Sequence, residues 1–398
     1  MNETPRLMRH FPPAEGELVT TGNMQEAPYN RWAFRNLRRL IGTGNVWRGD
    51  GLVSGFPVEP LHLDGITFTD MNEHPMTVKQ MLDSNDTDGF VVLCQGAIVA
   101  ERYGDGVEPH EPHLLMSVTK SFCASLAGIQ VEKGLFSPDD LVTDIIPEVK
   151  GSAYDGALVR HVLDMTVGMD YSEDYEDPDS DVALLDVAAG WRPARKGAPD
   201  NLRSYIATMR PAGEHGKAFH YVSTNTDLLG WIIERTAGVD FATLLSRDIW
   251  QPMGAEFDGY ITLDRTGTPL TDGGLCVTTR DLARFGQLHL QNGVMNGRRI
   301  IPESWIRDFR ENGDPEVWDR GNFAIDMPGH SYRSKWYTDL NDPHRPYYGI
   351  GIHGQSVFVD PVAGVVCAKH STHPAPVDPK LFDDMFRGFR AIAHELGG

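Results

Sequence analysis

Strand-forming runs stand near both ends of this 398-residue chain, and helix-forming runs fill the interval between them. Phe90-Val91-Val92-Leu93 and Ala97-Ile98-Val99-Ala100 are β-rich and meet at Gln95-Gly96, which predicts a hairpin. Toward the other end Tyr348 to Ile352, Ser356 to Val359 and Val365 to Lys369 read as three more strands. The last two are joined through the turn-forming run Asp360-Pro361-Val362-Ala363-Gly364. Leu114 to Lys133 carries apolar residues at helical spacing and stops at Gly134, after which Ser137-Pro138-Asp139-Asp140 has the form of a helix start. A second helix is predicted from about Thr226 to Thr236, a third after Thr278-Thr279, and a terminal one over Asp383 to Leu396. Strands from both ends sharing one antiparallel sheet imply an α/β lobe of residues 1–115 and 255–398. Residues 116–254 then form a mostly helical lobe.

The balance of 56 acidic against 36 basic residues gives a net charge of -20, which repels phosphate backbones and anionic lipid. Nucleic acid and membrane surfaces are therefore excluded as expected partners. No run approaches the roughly eighteen apolar residues of a membrane span. Met1 to Gly16 is polar and lacks the apolar core of an export signal. Cys94, Cys123, Cys276 and Cys367 lie far apart without metal-ligand spacing, as buried thiols of a reducing compartment do. A cytoplasmic location is the expectation.

The sharpest chemical signal is Leu115-Met116-Ser117-Val118-Thr119-Lys120-Ser121, an S-x-x-K at the start of an apolar helix. Three residues of helix put Ser117 and Lys120 on one face. A serine hydroxyl needs a base, and a lysine whose pKa is lowered by desolvation can serve. S-x-x-K also arises by chance in many helices, so its weight depends on what accompanies it. Phe219-His220-Tyr221-Val222-Ser223-Thr224-Asn225 resembles the Tyr-x-Asn or Tyr-x-Ser element of class C β-lactamases and family VIII carboxylesterases. In that group the tyrosine relays a proton, a role that needs a phenol pKa held down by a neighbouring cation such as Lys120. Taken alone, Tyr221 is equally a core aromatic. Gly349-Ile350-Gly351-Ile352-His353-Gly354 stands where such enzymes carry a glycine-rich edge strand, often Lys-Thr-Gly. There an Ile352 N–H could join the Ser117 N–H as an oxyanion hole, or the glycines could serve packing alone. The missing lysine removes the usual holder of a β-lactam carboxylate.

The resemblance narrows when further segments are added: Asn30 to Phe34, His113 to Ser117, Asp170 to Tyr175, Ala189 to Arg192 and Gly349 to Gln355. Together they are similar to the nylon-oligomer hydrolases, within the serine β-lactamase-like and family VIII carboxylesterase superfamily. The resemblance implies an α+β, penicillin-recognising fold, with an antiparallel sheet flanked by helices and a mostly helical lobe. It implies Ser117 as nucleophile, Lys120 as base and Tyr221 as relay. It places Tyr175 over the scissile amide nitrogen and Asp186 near the substrate's amino end, with Asp272 and His353 also in the substrate site. Asp272 departs from the Asn or His of those relatives, and Asp272-Gly273 is also a common turn pair. Tyr175 and Asp186 could equally belong to an exposed acidic loop. The activity implied is hydrolysis of short linear amides, such as 6-aminohexanoate oligomers, through an acyl-enzyme. A carboxylesterase using the same residues on short acyl esters is the alternative, and a catalytically silent binding protein is a third. No cofactor is implied, and His110 and His113 lack the spacing of a hydrolytic zinc site, so no metal is expected. The partner is a small amide or ester, with a homodimer allowed.

Overall fold

The computed structural model describes residues 7–397. Its centre is one seven-stranded antiparallel sheet built from β1 (Thr87–Cys94), β2 (Ala97–Tyr103), β3 (His330–Arg333), β4 (Trp336–Asp339), β5 (Tyr347–Gly351), β6 (Gln355–Asp360) and β7 (Val365–Ser371). The spatial order is β3-β4-β5-β6-β7-β1-β2, so the two ends of the chain meet where β7 pairs with β1. Val366 stands opposite Leu93 and Ala368 opposite Val91. These β-branched and aliphatic runs bury both faces, which is why they read as continuous apolar stretches. The fold is the α+β arrangement expected.

The five sequence-predicted strands are present, but β3 and β4 were not anticipated. Their connecting turn, Ser334-Lys335, has φ of 47° and 64° on two residues that are neither Gly, Asn nor Asp. Tertiary contacts hold it: the Ser334 N–H donates to Asp164 Oδ1 at 2.9 Å, and Lys335 Nζ donates to the Val162 carbonyl at 2.6 Å. A turn fixed by distant partners leaves no local sequence signal.

The helices used below are α1 (Thr119–Glu132), α2 (Asp181–Ala188), α3 (Thr224–Ala237), α4 (Thr279–Leu290) and α5 (Pro379–Gly397). Two faces of the sheet are covered. A Cβ on Gly286 of α4 would stand 2.5 Å from Val366 Cγ1 and 3.1 Å from Val357 Cγ2, so only glycine allows that close approach. Phe358, one residue on and hence on the opposite face, packs against Phe389 of α5 with ring centroids 5.8 Å apart. α1 lies on the α4 side, where Phe122 stacks on Phe285, and every residue from Thr119 to Gln130 is buried. Ser137 to Asp140 forms a turn rather than a helix start, because the Asp140 carboxylate caps it by accepting from Ser137 N–H at 2.7 Å.

A second, four-stranded sheet delivers the chain to α1. Thr43–Val46 pairs with Gly259–Thr262, which pairs with Leu275–Val277, which pairs with His113–Leu114. The predicted helix therefore starts later than Leu114: His113 and Leu114 are strand, and a single 3₁₀ turn, Met116–Val118, precedes α1. No helix among the described residues is long and apolar enough to cross a membrane. The four cysteines are unpaired, three of them buried and Cys94 partly so.

Candidate active site

Ser117 sits where the strand ending at Leu114 bends into α1, and Met116 just before it takes φ of 47°, a conformation costly for a side chain of its size. Helical spacing then brings Lys120 Nζ to 2.9 Å from Ser117 Oγ. Lys120 is almost fully enclosed and also donates to the Asp272 carbonyl at 2.8 Å and to Ser223 Oγ at 3.2 Å, with Asp272 Oδ2 at 3.4 Å. Tyr221 closes the group: Lys120 Nζ stands 5.2 Å from its ring centroid, and Phe323 stacks on the far side of the ring. Residues separated by about a hundred positions thus converge on one buried ammonium.

The electrostatics reverse two expectations. Burial acts to lower the Lys120 pKa, but the surrounding Tyr221, Asp272, Glu173 and Asp227 outweigh it, and the ammonium is held above its ordinary range. Burial raises the Tyr221 pKa, and Lys120 only partly offsets this, so the phenol is also held above its usual value. The two shifts belong to one coupled pair: a Tyr221 anion raises Lys120 and the Lys120 cation opposes the rise at Tyr221, so the pair shares its protons. Opposite charges prevail over burial at Lys120, whereas burial, with the like charge of Glu173, prevails at Tyr221.

Glu173 is a member of this buried cluster that the sequence did not single out. Its Oε1 accepts from Ser223 Oγ at 2.5 Å and from Tyr175 OH at 2.8 Å, and its Oε2 accepts from the Ser223 N–H at 3.1 Å. It therefore links the Tyr-x-Ser element to the tyrosine of the acidic loop. One carboxylate among the many in Glu173 to Asp181 carries no distinguishing signal. Asp227, on the first turn of α3, is a second: its Oδ1 accepts from the Asp272 N–H at 3.0 Å. Burial, reinforced by the Asp272 charge, raises the Asp227 pKa well above the carboxylate range.

Of the remaining sequence-predicted residues, Tyr175 and His353 line a cleft of about 580 Å³ whose walls also include Met24, Gln25, Arg192 and Pro376. Asp186, on α2, already has partners: Gln25 Nε2 donates to its Oδ2 at 2.9 Å and Arg192 Nε at 3.0 Å. His353 is buried in a left-handed conformation, φ 59°, with Nδ1 at 2.7 Å from the His373 carbonyl. Burial lowers its pKa to about 4, so it faces the cleft neutral. Ile352 begins the turn after β5. A Cβ on Gly351 would meet the Leu115 carbonyl at 2.5 Å and Met116 Cβ at 3.0 Å, so this strand end presses on the residues just before Ser117. Asp272 is no surface turn, since it is buried against Lys120. His113 is buried against Asp88 at 3.3 Å, which occupies it structurally.

Comparison with known proteins shows the family and the fold. The model of the family described as Beta-lactamase matches residues 77–390. A 6-aminohexanoate-dimer hydrolase from Paenarthrobacter ureafaciens is 38% identical over 366 residues, covering 92% of this chain and 91% of that protein. A Bacillus anthracis structure described as a candidate 6-aminohexanoate-dimer hydrolase superposes with a TM-score of 0.87 at 28% identity, over 95% of this chain and 97% of the other. A family VIII carboxylesterase superposes with a TM-score of 0.57 at 16% identity, over 79% and 96% of the two chains, which shows shared fold.

Proposed function

The chain belongs to the beta-lactamase family and is a serine hydrolase, and on that premise we propose that it cleaves amide bonds of short linear substrates through an acyl-enzyme on Ser117. The observation that carries this reading is the 2.9 Å contact between Lys120 Nζ and Ser117 Oγ, inside a buried cluster that also holds Tyr221. Loss of one proton from the Lys120–Tyr221 pair creates the base. The pair then takes the Ser117 hydroxyl proton as Oγ bonds to the carbonyl carbon. The N–H groups of Ser117 and Ile352 receive the oxyanion, and Tyr221 passes the proton to the leaving nitrogen as the C–N bond breaks. Water, activated by the same pair, releases the acid and restores Ser117.

The relative named for 6-aminohexanoate dimer supports a linear amino-amide as the substrate class, and Asp186 beside the cleft offers a carboxylate for its ammonium. Short acyl esters form a second reading, favoured by one observation: Arg192 already neutralises Asp186, which reduces what an amino end would gain. Turnover of a linear amino-amide is compared with that of a p-nitrophenyl ester, and the protein is treated with a serine-directed phosphonate. The proposal expects amide turnover and one phosphonate mass on Ser117, abolished by Ser117→Ala. Label on another residue overturns the nucleophile, and ester turnover without amide turnover selects the second reading.

A further inference from the structure

Far from Ser117 in the chain, the loop between β4 and β5 meets the last turns of α5, and there Asp342, His344 and His394 each bring one ligand atom within 4.8 Å of the others. We propose that these three residues bind a divalent transition metal, zinc in the first instance, that clips the C-terminal helix onto the sheet.

Three features support the assignment. The first is spacing: His394 Nε2 lies 3.3 Å from Asp342 Oδ2. Two ligands of a tetrahedral zinc, each bonded at about 2.0–2.1 Å, stand about 3.3–3.4 Å apart. The His344 and His394 rings have centroids 4.7 Å apart, and both side chains are partly exposed, so rotation of the His394 ring closes the remaining gap and an ion can enter.

The second is orientation. His344 Nδ1 is 2.8 Å from Oδ2 of the buried Asp360, at the end of β6, which fixes the imidazole with Nε2 free. A carboxylate behind a metal-ligating histidine does this work in zinc sites, setting the tautomer and raising ligand basicity. Asp342 is likewise set, because its Oδ1 accepts the His344 N–H at 2.9 Å and leaves Oδ2 toward His394.

The third is charge. With neutral imidazoles, the buried Asp342 and Asp360 leave the cluster two negative charges. Arg390, one turn before His394 on α5, is already paired with Asp339 at 3.0 Å. A divalent ion balances the two carboxylates. Two imidazoles and a carboxylate suit zinc, with water as fourth ligand. Position adds to this, since the C-terminal end of a helix favours cations.

The test uses the full chain without a histidine tag, stripped with EDTA and dialysed. Zinc is titrated at pH 7.5, with bound metal counted by mass spectrometry and Tm followed by calorimetry. One zinc per chain is expected, with a rise in Tm of about 3–5 °C at a hundredfold excess over Kd. His394→Ala and, independently, Asp342→Asn weaken zinc binding at least tenfold and cut the Tm rise at the same zinc concentration to about half or less. Ester turnover by the stripped protein at 25 °C stays equal to that of the zinc-loaded one, which separates this site from Ser117. Zinc bound equally well by both variants, or a wild-type Tm that zinc leaves unchanged, overturns the proposal.

Discussion

Replacing Asp272 by Asn tests the electrostatics of the site most directly. The change removes one negative charge 3.4 Å from Lys120 Nζ but keeps the side-chain shape and the backbone carbonyl that accepts from the same ammonium at 2.8 Å. At that separation and an effective dielectric constant of about 20, the attraction is at most about 5 kcal/mol. An opposite charge so close ordinarily moves a pKa by about 1–3 units. Lys120 is held above its ordinary value because the anions around it outweigh burial. With one anion gone, burial gains and the Lys120 pKa falls. Asp227 offsets part of the loss: burial and the Asp272 charge raise its pKa, and once Asp272 is neutral that pKa falls, which leaves more negative charge beside Lys120. The expected net shift is therefore at the lower end, about 1 unit. Since the base forms when the Lys120–Tyr221 pair loses a proton, kcat/KM should climb with pH in the wild type. In Asp272→Asn the rising limb should lie about 1 unit lower, and in Asp272→Asn/Asp227→Asn lower still. The assay is the pH profile of kcat/KM on an ester whose leaving group does not titrate in the range. A limb that stays in place, or moves to higher pH, refutes the account of how the base is tuned.

Three further outcomes are expected. Asp186→Ala should lower kcat/KM for linear amino-amides about tenfold, the lower end of what a charge-assisted contact contributes because Arg192 shares the carboxylate, and should leave neutral esters unaffected; equal losses on both substrates would make Asp186 structural. Gly351→Ala drives a Cβ to 2.5 Å from the Leu115 carbonyl, so kcat should fall at least tenfold with little change in KM, and a variant of full activity would remove the Ile352 strand end from the oxyanion site. Glu173→Gln leaves Ser223 and Tyr175 an uncharged acceptor and takes an anion from Lys120's surroundings, so its pH limb should move in the same direction as that of Asp272→Asn, read from the same profile.

Much of the scaffold was legible because its elements carry local signals. The β1–β2 hairpin turns at Gln95-Gly96, the β6–β7 turn is closed by Asp360 Oδ1 accepting from Val362 and Ala363 at 2.9 and 2.8 Å, and Thr278 caps α4 through Asp281 N–H. The β3–β4 hairpin was not, since partners at Asp164 and Val162 impose its turn.

For the candidate site, the sequence supplied the candidate groups. S-x-x-K fixes Ser117 and Lys120 as neighbours through helical spacing alone, and the Tyr-x-Ser element marks Tyr221 by its own pattern. Their companions, and the direction in which each proton affinity moves, depend on how distant segments pack. Glu173, Asp227 and Asp272 come from three separate segments, and no spacing rule says that they surround one buried lysine. Coulomb energy depends on distance through space and on the water excluded between charges. For the same reason the expectation of a lysine base made available by burial gave way to an ammonium held charged by its anions, and the carboxylate expected near the substrate's amino end is paired with Arg192.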